Sequence, residues 1–330
     1  MNANHEHGGA LDVMRRLFPE APEPWIDLST GINPWPWPTS GRETEGFQRL
    51  PTQSDRVLCT AAMAEAFGLP ERAVLVAPGS ELLIHLLPTL LHPRRIAILA
   101  PTYDDHARTW RSAGIDVTET PDPLAEAGEA DAAVICNPNN PDGRRFAPER
   151  IEEARQRLAK RDGWLIVDEA FADLEPDLSA APHVLAGNLL VLRSAGKFYG
   201  LPGLRLGALL GPPAFLRWLA AHLGVWSVST PALAIGAAAY ADRAWQAVTR
   251  RRLAEARRRL DRVLLERRCR VAGGTDLFGY VEVPDAPAAW HRLSSQGIYV
   301  RRFPWTDSHL RIGLPKDAEA EARLGAALKF

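Results

Sequence analysis

Two stretches combine an apolar run with polar residues at its carboxyl end, and they decide the fold. The first is Trp164-Leu165-Ile166-Val167-Asp168-Glu169-Ala170-Phe171, and the second is Leu189-Leu190-Val191-Leu192-Arg193-Ser194-Ala195-Gly196-Lys197. A short apolar run with β-branched content that is bounded by polar residues is typical of a buried strand. Each stretch therefore predicts a strand of a buried sheet that ends in residues able to carry chemistry.

Further runs of this kind alternate with helical patterns along the chain. The other expected strands of the central part cover residues 73–77, 95–100, 132–136 and 206–210. Between the strands, apolar residues at helical spacing predict helices over residues 81–91, 105–113 and 149–161. This alternation predicts βαβ units and a mainly parallel sheet.

The two ends of the chain differ from the central part. Residues 1–44 are rich in Pro and Trp, which favours an extended, anchored segment over a helix. A helical pattern runs from about residue 232 to residue 270, and the later patterns predict two strands at 278–283 and 298–303 and a helix from 317. We therefore predict an α/β protein with a large domain at residues 45–225 and a smaller α+β domain formed by residues 1–44 and 226–330.

Composition narrows the class of protein. The 330 residues predict about two domains at roughly 150 residues each. Hydrophobic residues make up 46% and charged residues 24%, which excludes disordered, collagen-like and coiled-coil proteins. Lys and Arg total 39 against 40 Asp and Glu, so the basic footprint of a nucleic-acid binder is absent. The three distant cysteines form no CxxC pair, and no leader or membrane span is evident, so we expect a cytoplasmic protein without disulfides or a metal site.

Lys197 is the first candidate for catalysis. The chain carries its positive charge almost wholly as Arg, and its four lysines are Lys160, Lys197, Lys316 and Lys329. Lys197 alone follows an expected strand directly, in a glycine-rich turn. A desolvated Lys can lose its proton and attack a carbonyl, which Arg cannot do. We therefore interpret Lys197 as a reactive amine rather than as a surface lysine. The Ser-x-x-Lys string at residues 194–197 also occurs in serine acyl enzymes. Those enzymes carry SDN and KTG strings as well, and neither string occurs in this chain.

Polar residues at the other strand ends complete a candidate site. Gly79-Ser80 opens an expected helix, where it is either a helix cap or an anion site for a phosphate. Neither a P-loop nor a GxGxxG string occurs, so the usual nucleotide sites are not indicated. Asp168 is either a turn cap or a buried carboxylate that needs a donor. Asn140 and Arg205 offer further donors in turn-forming stretches, and strand ends of such sheets form the ligand crevice.

The ordered set of motifs resembles a known family. Asn-Pro-x-Gly at 140–143, Asp-x-Ala-aromatic at 168–171, and Ser-x-x-Lys at 194–197 with Arg205 eight residues on resemble the fold type I pyridoxal-phosphate enzymes of the aspartate aminotransferase superfamily. The resemblance covers nearly the whole chain. Residues 137–143 and Leu310-Arg311-Ile312 resemble its histidinol-phosphate aminotransferase branch, and His7-Gly8-Gly9 with residues 27–38 resembles the threonine-phosphate decarboxylases of cobalamin biosynthesis.

The resemblance implies a role for each matching residue. Lys197 would bind pyridoxal 5'-phosphate covalently, and Asp168 would keep its pyridine nitrogen protonated. Asn140 would donate to its phenolic oxygen, and Tyr103 would stack on its ring. The cofactor phosphate would be held by Gly79, Ser80, Ser194 and Arg205. In the substrate, Arg311 would bind the carboxylate, and the candidates for the phosphate are Arg301 and the region of His7 and Asn33.

Two positions depart from the pattern of the family. A second donor to the phenolic oxygen is commonly Tyr, whereas this chain has Phe171. The Tyr that usually reaches the cofactor phosphate of the neighbouring subunit is Leu50 here, in Arg49-Leu50-Pro51. Phosphate binding is therefore expected to depend more heavily on Arg205.

The resemblance implies decarboxylation of O-phospho-L-threonine to 1-amino-2-propanol phosphate and CO2, for cobalamin synthesis. The alternative is transamination of histidinol phosphate with glutamate, which uses the same residues but breaks the Cα–H bond. A cofactor-binding protein without catalysis is disfavoured by the presence of Lys197 and Asp168. Active sites of the family lie at a dimer interface, so we expect a homodimer that binds a small phosphorylated amino acid and neither nucleic acid nor membrane.

Overall fold

A computed structural model describes residues 8–39, 41 and 46–328. Its helices are α1 (Leu11–Leu17), α2 (Gln53–Phe67), α3 (Ser80–Leu91), α4 (Asp104–Ser112), α5 (Pro148–Ala159), α6 (Pro213–Leu223), α7 (Thr230–Ala241), α8 (Arg243–Glu266), α9 (Ala286–Ser295) and α10 (Ala318–Ala327). Its strands are β1 (Ile26–Leu28), β2 (Val74–Ala77), β3 (Arg95–Leu99), β4 (Asp116–Thr120), β5 (Ala132–Cys136), β6 (Trp164–Asp168), β7 (Leu189–Ser194), β8 (Gly207–Leu210), β9 (Arg270–Thr275), β10 (Phe278–Glu282), β11 (Ile298–Phe303) and β12 (Thr306–Gly313). No helix among the described residues is long and apolar enough to cross a membrane.

The larger of two compact units contains Pro36–Asn140 and Arg144–Gln246, as far as these ranges are described. Its seven-stranded sheet has the order β2-β8-β7-β6-β5-β3-β4. The pairs β3/β4, β3/β5, β5/β6 and β6/β7 are parallel, and β8 runs antiparallel to both β7 and β2. The prediction of a mainly parallel sheet is therefore confirmed.

The core of this unit explains why its strands read as unbroken apolar runs. All five residues of β5 are buried, and Ile98, Val134, Ile166 and Leu192 from neighbouring strands belong to one core cluster. A parallel sheet with both faces covered excludes polar residues from its strand interiors. Polar side chains therefore appear where the strands end, which is where the candidate site lies.

The smaller unit contains the described residues up to Trp35, Pro141–Gly143 and the described residues from Ala247. Its sheet has the order β1-β11-β12-β10-β9, with β1 parallel to β11 and the other pairs antiparallel. Helices α9 and α10 belong to this unit, as the prediction of a smaller α+β part requires. Residues 226–246, which the sequence analysis assigned to this part, cluster with the larger unit instead.

Two expectations about the ends of the chain need correction. The predicted extended N-terminal segment contains the helix α1, whose Met14 is fully buried. The predicted helix from residue 232 to residue 270 is two helices, α7 and α8, separated at Asp242. The Asp242 side chain accepts hydrogen bonds from the Trp245 amide at 2.9 Å and from the Trp37 indole at 3.2 Å. A side chain that caps a helix start in this way favours a new helix over continuation of the old one.

Helix α2 was not predicted from the sequence, although its start carries a recognisable signal. The Thr52 side chain accepts from the Asp55 amide, and the Asp55 side chain accepts from the Thr52 amide. This reciprocal arrangement is a capping box, which a Thr or Ser followed three residues later by an acidic residue can indicate.

Gly207, the first residue of β8, allows three backbone segments to approach one another. A Cβ atom placed on Gly207 would lie 2.6 Å from the Arg193 carbonyl oxygen and 2.7 Å from the Ser80 amide nitrogen. Both distances are shorter than van der Waals contact. The sheet therefore closes against the start of α3 only because residue 207 has no side chain.

We expect Gly207→Ala to lower the free energy of unfolding by about 1–3 kcal/mol, because backbone atoms must move to admit the methyl group. Urea titration measures the effect. Gly203→Ala is the control, since a Cβ atom at Gly203 meets no atom within 4 Å. Equal stability of the two variants would contradict the close approach at Gly207.

Candidate active site

A cavity of about 140 Å³ lies at the strand ends of the larger unit. The nine residues that the sequence predicts to bind the cofactor all line it: Gly79, Ser80, Tyr103, Asn140, Asp168, Phe171, Ser194, Lys197 and Arg205. The remaining lining residues are Glu81, Ile84, Cys136 and Ala170. Residues from separate segments of the chain thus meet around one space, as expected from the shared edge of the sheet.

One side of the cavity offers donors for an anion. Gly79 has a φ of 84° and precedes α3, whose first amide groups are not used within the helix. The Arg205 guanidinium donates to Glu81 Oε2 at 3.0 Å and to the Pro202 carbonyl oxygen at 3.2 Å. A Cβ atom at Gly79 would lie 3.0 Å from Nη2 of Arg205, so the missing side chain lets the guanidinium lie beside the turn. Helix amides, an Arg fork and the nearby Ser194 hydroxyl form a donor set suited to a phosphate.

Asp168 is a buried carboxylate at the end of β6, with 4% of its surface exposed. Its Oδ2 accepts from His106 Nε2 at 3.0 Å, and its Oδ1 accepts from the Ala170 amide at 3.0 Å. These donors offset part of the cost of burying the charge. They also hold the carboxylate in one orientation at the cavity wall.

His106, which was not predicted as a site residue, is 1% exposed and lies on α4. It follows Tyr103 by three residues, and its ring makes an edge contact with that of Tyr103 at 6.0 Å between centroids. Tyr103 directly precedes α4, and His106 lies in the first turn of that helix. This spacing was a usable signal, because the start of α4 brings both Tyr103 to the cavity and His106 to Asp168.

The three asparagines of the segment 137–140 have different positions in the structure. Asn137 donates to the carbonyl oxygens of Phe146 and Leu178 at 3.1 and 3.2 Å. Asn139 donates to the Pro101 carbonyl oxygen at 3.0 Å and accepts from the Thr102 hydroxyl at 2.7 Å. Both are fully buried and join loops, whereas Asn140 is half-buried and lines the cavity.

Lys197 and Phe171 are neighbours in the cavity. Nζ of Lys197 lies 5.7 Å from the centroid of the Phe171 ring, over its face. The Phe171 side chain is buried, so the position that commonly carries a phenol presents only carbon atoms here. The amine therefore lies near an apolar wall, with the Asp168 carboxylate lining the same cavity.

The predicted substrate residues belong to the smaller unit, and His7 lies outside the described residues. Arg301 and Arg311 are directly opposite on β11 and β12 and are 8% and 6% exposed. Burial, and then the charge of Arg301, lower the pKa of Arg311 to about 9. Arg311 also donates to the Ser29 carbonyl oxygen. Asn33 is buried and accepts from the Trp35 amide at 2.8 Å, so it forms a turn at the end of its segment.

The arrangement in this unit favours an anionic ligand. Like charges directly opposite on a sheet repel one another. An anion that contacts both guanidinium groups would offset this repulsion.

Comparisons with known proteins agree with the fold and the motifs. The model of the family described as aminotransferase class I and II matches residues 26–326. A threonine-phosphate decarboxylase of Pseudomonas aeruginosa is 40% identical over 98% of this chain and 97% of its own length. A threonine-phosphate decarboxylase of Sinorhizobium is 39% identical over 99% of this chain and 98% of its own length. The solved histidinol-phosphate aminotransferase of Sinorhizobium meliloti, in complex with pyridoxal-5'-phosphate, has a TM-score of 0.86 at 19% identity, over 96% of this chain and 92% of that one.

Together, the matching motifs, the fold and the extent of the family match make this chain a member of the aminotransferase class I and II family.

Proposed function

We propose that this protein is a pyridoxal-phosphate-dependent decarboxylase that converts O-phospho-L-threonine to 1-amino-2-propanol phosphate and CO2. The observation that carries the proposal is the single cavity that brings the Lys197 amine and the buried Asp168 carboxylate together with an anion cradle. The relatives at 39–40% identity over nearly the full length support the choice of substrate. Transamination of histidinol phosphate is the second candidate, because relatives named histidinol-phosphate aminotransferase are also similar to this chain, at a lower identity of 26–34%.

The donor set of the cavity fits pyridoxal phosphate. Gly79, Ser80, Ser194 and Arg205 would hold its phosphate, and Asn140 would donate to its ring oxygen. Tyr103 would cover one face of the ring, and Lys197 would hold the cofactor covalently through its amine. When bound, the cofactor supplies a ring that accepts electrons from the α-carbon of an amino acid.

Asp168 and His106 would act together. A carboxylate at the ring nitrogen favours the protonated nitrogen, because opposite charges stabilise one another most strongly away from water. The hydrogen bond from His106 fixes the carboxylate on the cavity side of the strand end. We infer that His106 is a positioning residue for this proton.

The proposed substrate matches the charge of the Arg301 and Arg311 pair. O-Phosphothreonine carries a carboxylate and a phosphate, and each guanidinium can bind one anionic group with paired hydrogen bonds. We assign the carboxylate to Arg311 and the phosphate to Arg301, with Asn33 and His7 as further candidates for the phosphate. Histidinol phosphate carries no carboxylate, so it would pair with only one of the two guanidinium groups. The other would then bind the carboxylate of a second substrate.

We also propose that the enzyme is a homodimer. Phe47, Leu50 and Trp226 are 72%, 59% and 61% exposed, and Val225 is exposed beside Trp226. Arg56 on α2 donates to the Val225 carbonyl oxygen at 3.0 Å, which joins this segment to α2. The Thr230 hydroxyl donates to the Arg49 carbonyl oxygen at 3.1 Å, which brings the segment of Phe47 and Leu50 to the same part of the surface. Exposed apolar residues grouped in this way are typical of an interface. Leu50 occupies the position at which the family resemblance expects a side chain that reaches the other subunit.

We place the enzyme in the cytoplasm. Cys59, Cys136 and Cys269 are buried, and none of them forms a disulfide. Cysteines outside disulfides are ordinary in a reducing compartment, where disulfides are rare.

Borohydride reduction of the purified protein should fix the cofactor to the peptide that contains Lys197, as located by mass spectrometry. Lys197→Arg should abolish turnover although the charge is kept, because a guanidinium forms no Schiff base under these conditions. Lys160→Arg, at the exposed end of α5, is the control that retains activity. Labelling of Lys160, Lys316 or Lys329 instead would refute the assignment.

O-Phosphothreonine should yield CO2 and 1-amino-2-propanol phosphate without any keto acid, and threonine should react poorly because it lacks the phosphate. Assays of CO2 and of the amine product test this. Cycling of the cofactor between its pyridoxal and pyridoxamine forms with histidinol phosphate and 2-oxoglutarate, faster than CO2 release, would favour the aminotransferase.

In the same assay, Arg311→Ala should lower kcat/KM by an amount equivalent to at least ~2 kcal/mol, because charge-assisted hydrogen bonds to the carboxylate are lost. Arg302→Ala is the matched control, since Arg302 follows Arg301 on β11 and its side chain is exposed. Equal losses in the two variants would count against a specific role for Arg311.

The absorbance of the bound cofactor should change at lower pH in Phe171→Tyr than in the wild type. A phenol that donates to the cofactor's ring oxygen stabilises the negative charge there. That charge then holds the proton on the Lys197 nitrogen less strongly, so the pKa of this nitrogen falls. Spectral titration of both proteins measures the two midpoints, and an unchanged or higher midpoint in the variant would place Phe171 away from the ring oxygen.

A further inference from the structure

Arg193, Glu169 and Asp173 form a buried ion-pair cluster, and two of them are sequence neighbours of residues that line the cofactor cavity. Nη1 of Arg193 donates to Oε2 of Glu169 at 2.7 Å, and Nη2 donates to Oδ1 of Asp173 at 2.5 Å. The three residues are 3%, 0% and 5% exposed. The guanidinium also lies over the Phe67 ring, 4.4 Å from its centroid. The cluster is therefore fully enclosed and has a fixed geometry.

Each end of the cluster is adjacent to a residue of the cavity. Glu169 follows Asp168, and its amide donates to the Leu192 carbonyl oxygen of β7 at 2.9 Å. Arg193 precedes Ser194, which lines the cavity and begins the turn to Lys197. Successive side chains of an extended segment point to opposite sides. The ion pair thus joins, on the far side, the two strand ends that present Asp168 and Lys197 to the cavity.

The carboxylates extend this connection to the loop after β6. Glu169 also accepts from the Ser179 hydroxyl and from the Ala180 amide, each at 2.6 Å. Asp173 lies in the turn that follows Phe171. One guanidinium therefore holds the strand end of β7 to both ends of the turn that contains Phe171. The planar fork of Arg suits such a double contact, and Lys could not make it with the same geometry.

Net stability is a poor explanation for a cluster of this kind. Removing charges from water costs so much that apolar residues of similar volume often stabilise a protein equally well or better. What apolar side chains cannot supply is a set of directional bonds between particular backbone segments. An exposed pair in the same region, Arg145 with Glu175 at 2.6 Å, lacks this enclosure, with 40% and 31% of the side chains exposed.

We propose that Arg193, Glu169 and Asp173 are positioning residues that fix the strand ends carrying Asp168 and Lys197 at the spacing that the cofactor requires. The inference rests on the proposed cofactor site. None of the three residues lines the cavity, so they act through their neighbours rather than on the cofactor itself.

The test separates positioning from stability by neutralising the whole cluster. In the triple variant Glu169→Gln, Asp173→Asn and Arg193→Met, no buried charge is left unpaired, so the thermal midpoint should stay near that of the wild type. The single variant Asp173→Asn keeps the Arg193–Glu169 pair and provides a second, milder change. The matched control is Glu175→Gln with Arg145→Met, which removes the exposed pair.

The measured quantity is the affinity of the cofactor-free protein for pyridoxal 5'-phosphate. Quenching of tryptophan fluorescence and the circular dichroism of the bound cofactor both report this binding. We expect the triple variant to bind about tenfold more weakly or worse, with reduced circular dichroism, because a misplacement of about 1 Å at a reacting group is costly. Asp173→Asn should show a smaller loss in the same direction, and the control should match the wild type.

Three results would overturn the inference, and they differ in what else they affect. If the wild type and the triple variant bind equally well, the cluster does not position the site, although the proposed function stands. If the wild type itself does not bind the cofactor, the proposed function fails and the inference fails with it. A triple variant that loses cofactor affinity only in proportion to a lowered thermal midpoint would assign the cluster a purely structural role.

Discussion

The buried carboxylate of Asp168 is the constraint on which the rest of the site depends. A charge at the end of a central strand must be met by donors or counter-charges, since the interior offers no water to solvate it. Here the donors are His106 on α4 and the amide of Ala170 in the turn after β6. Tyr103 directly precedes the helix that supplies His106 and lines the cavity, and the turn that supplies the amide also places Phe171 there. The donors that the Asp168 carboxylate requires therefore also fix the parts of the cavity wall formed by Tyr103 and Phe171.

The anion side of the site depends on a different constraint, the close approach of backbone segments. Gly79 leaves space for the Arg205 guanidinium, and Gly207 lets β8 meet the Ser80 amide. Amide groups at a helix start can bind an anion only where no side chain separates them from it. The absence of side chains at these two positions is therefore a condition for the anion site, in addition to the charged residues.

Several arginines occupy positions that use more than one N–H group of the guanidinium. Arg257 donates to the carbonyl oxygens of Gly273, Thr275 and Phe278, and Arg155 pairs with Glu152 while donating to Asn188. Arg193 bridges two carboxylates in the same way. Each is a multiple contact that the planar guanidinium makes and an ammonium group does not.

The sequence by itself determined the elements whose signals are local. β5 and β11 have the bounds that their apolar patterns predict, and the predicted cofactor residues line one cavity because they follow strands that end at the same edge. β4 was missed because it is an edge strand of mostly polar sequence, Asp116–Thr120, and so lacks the apolar run of the buried strands. Only the tertiary structure decided which side chains meet across long separations, such as His106 with Asp168, Arg193 with Glu169 and Arg301 with Arg311. These contacts depend on strand register and helix packing, which many weak interactions set together and no short stretch of sequence encodes.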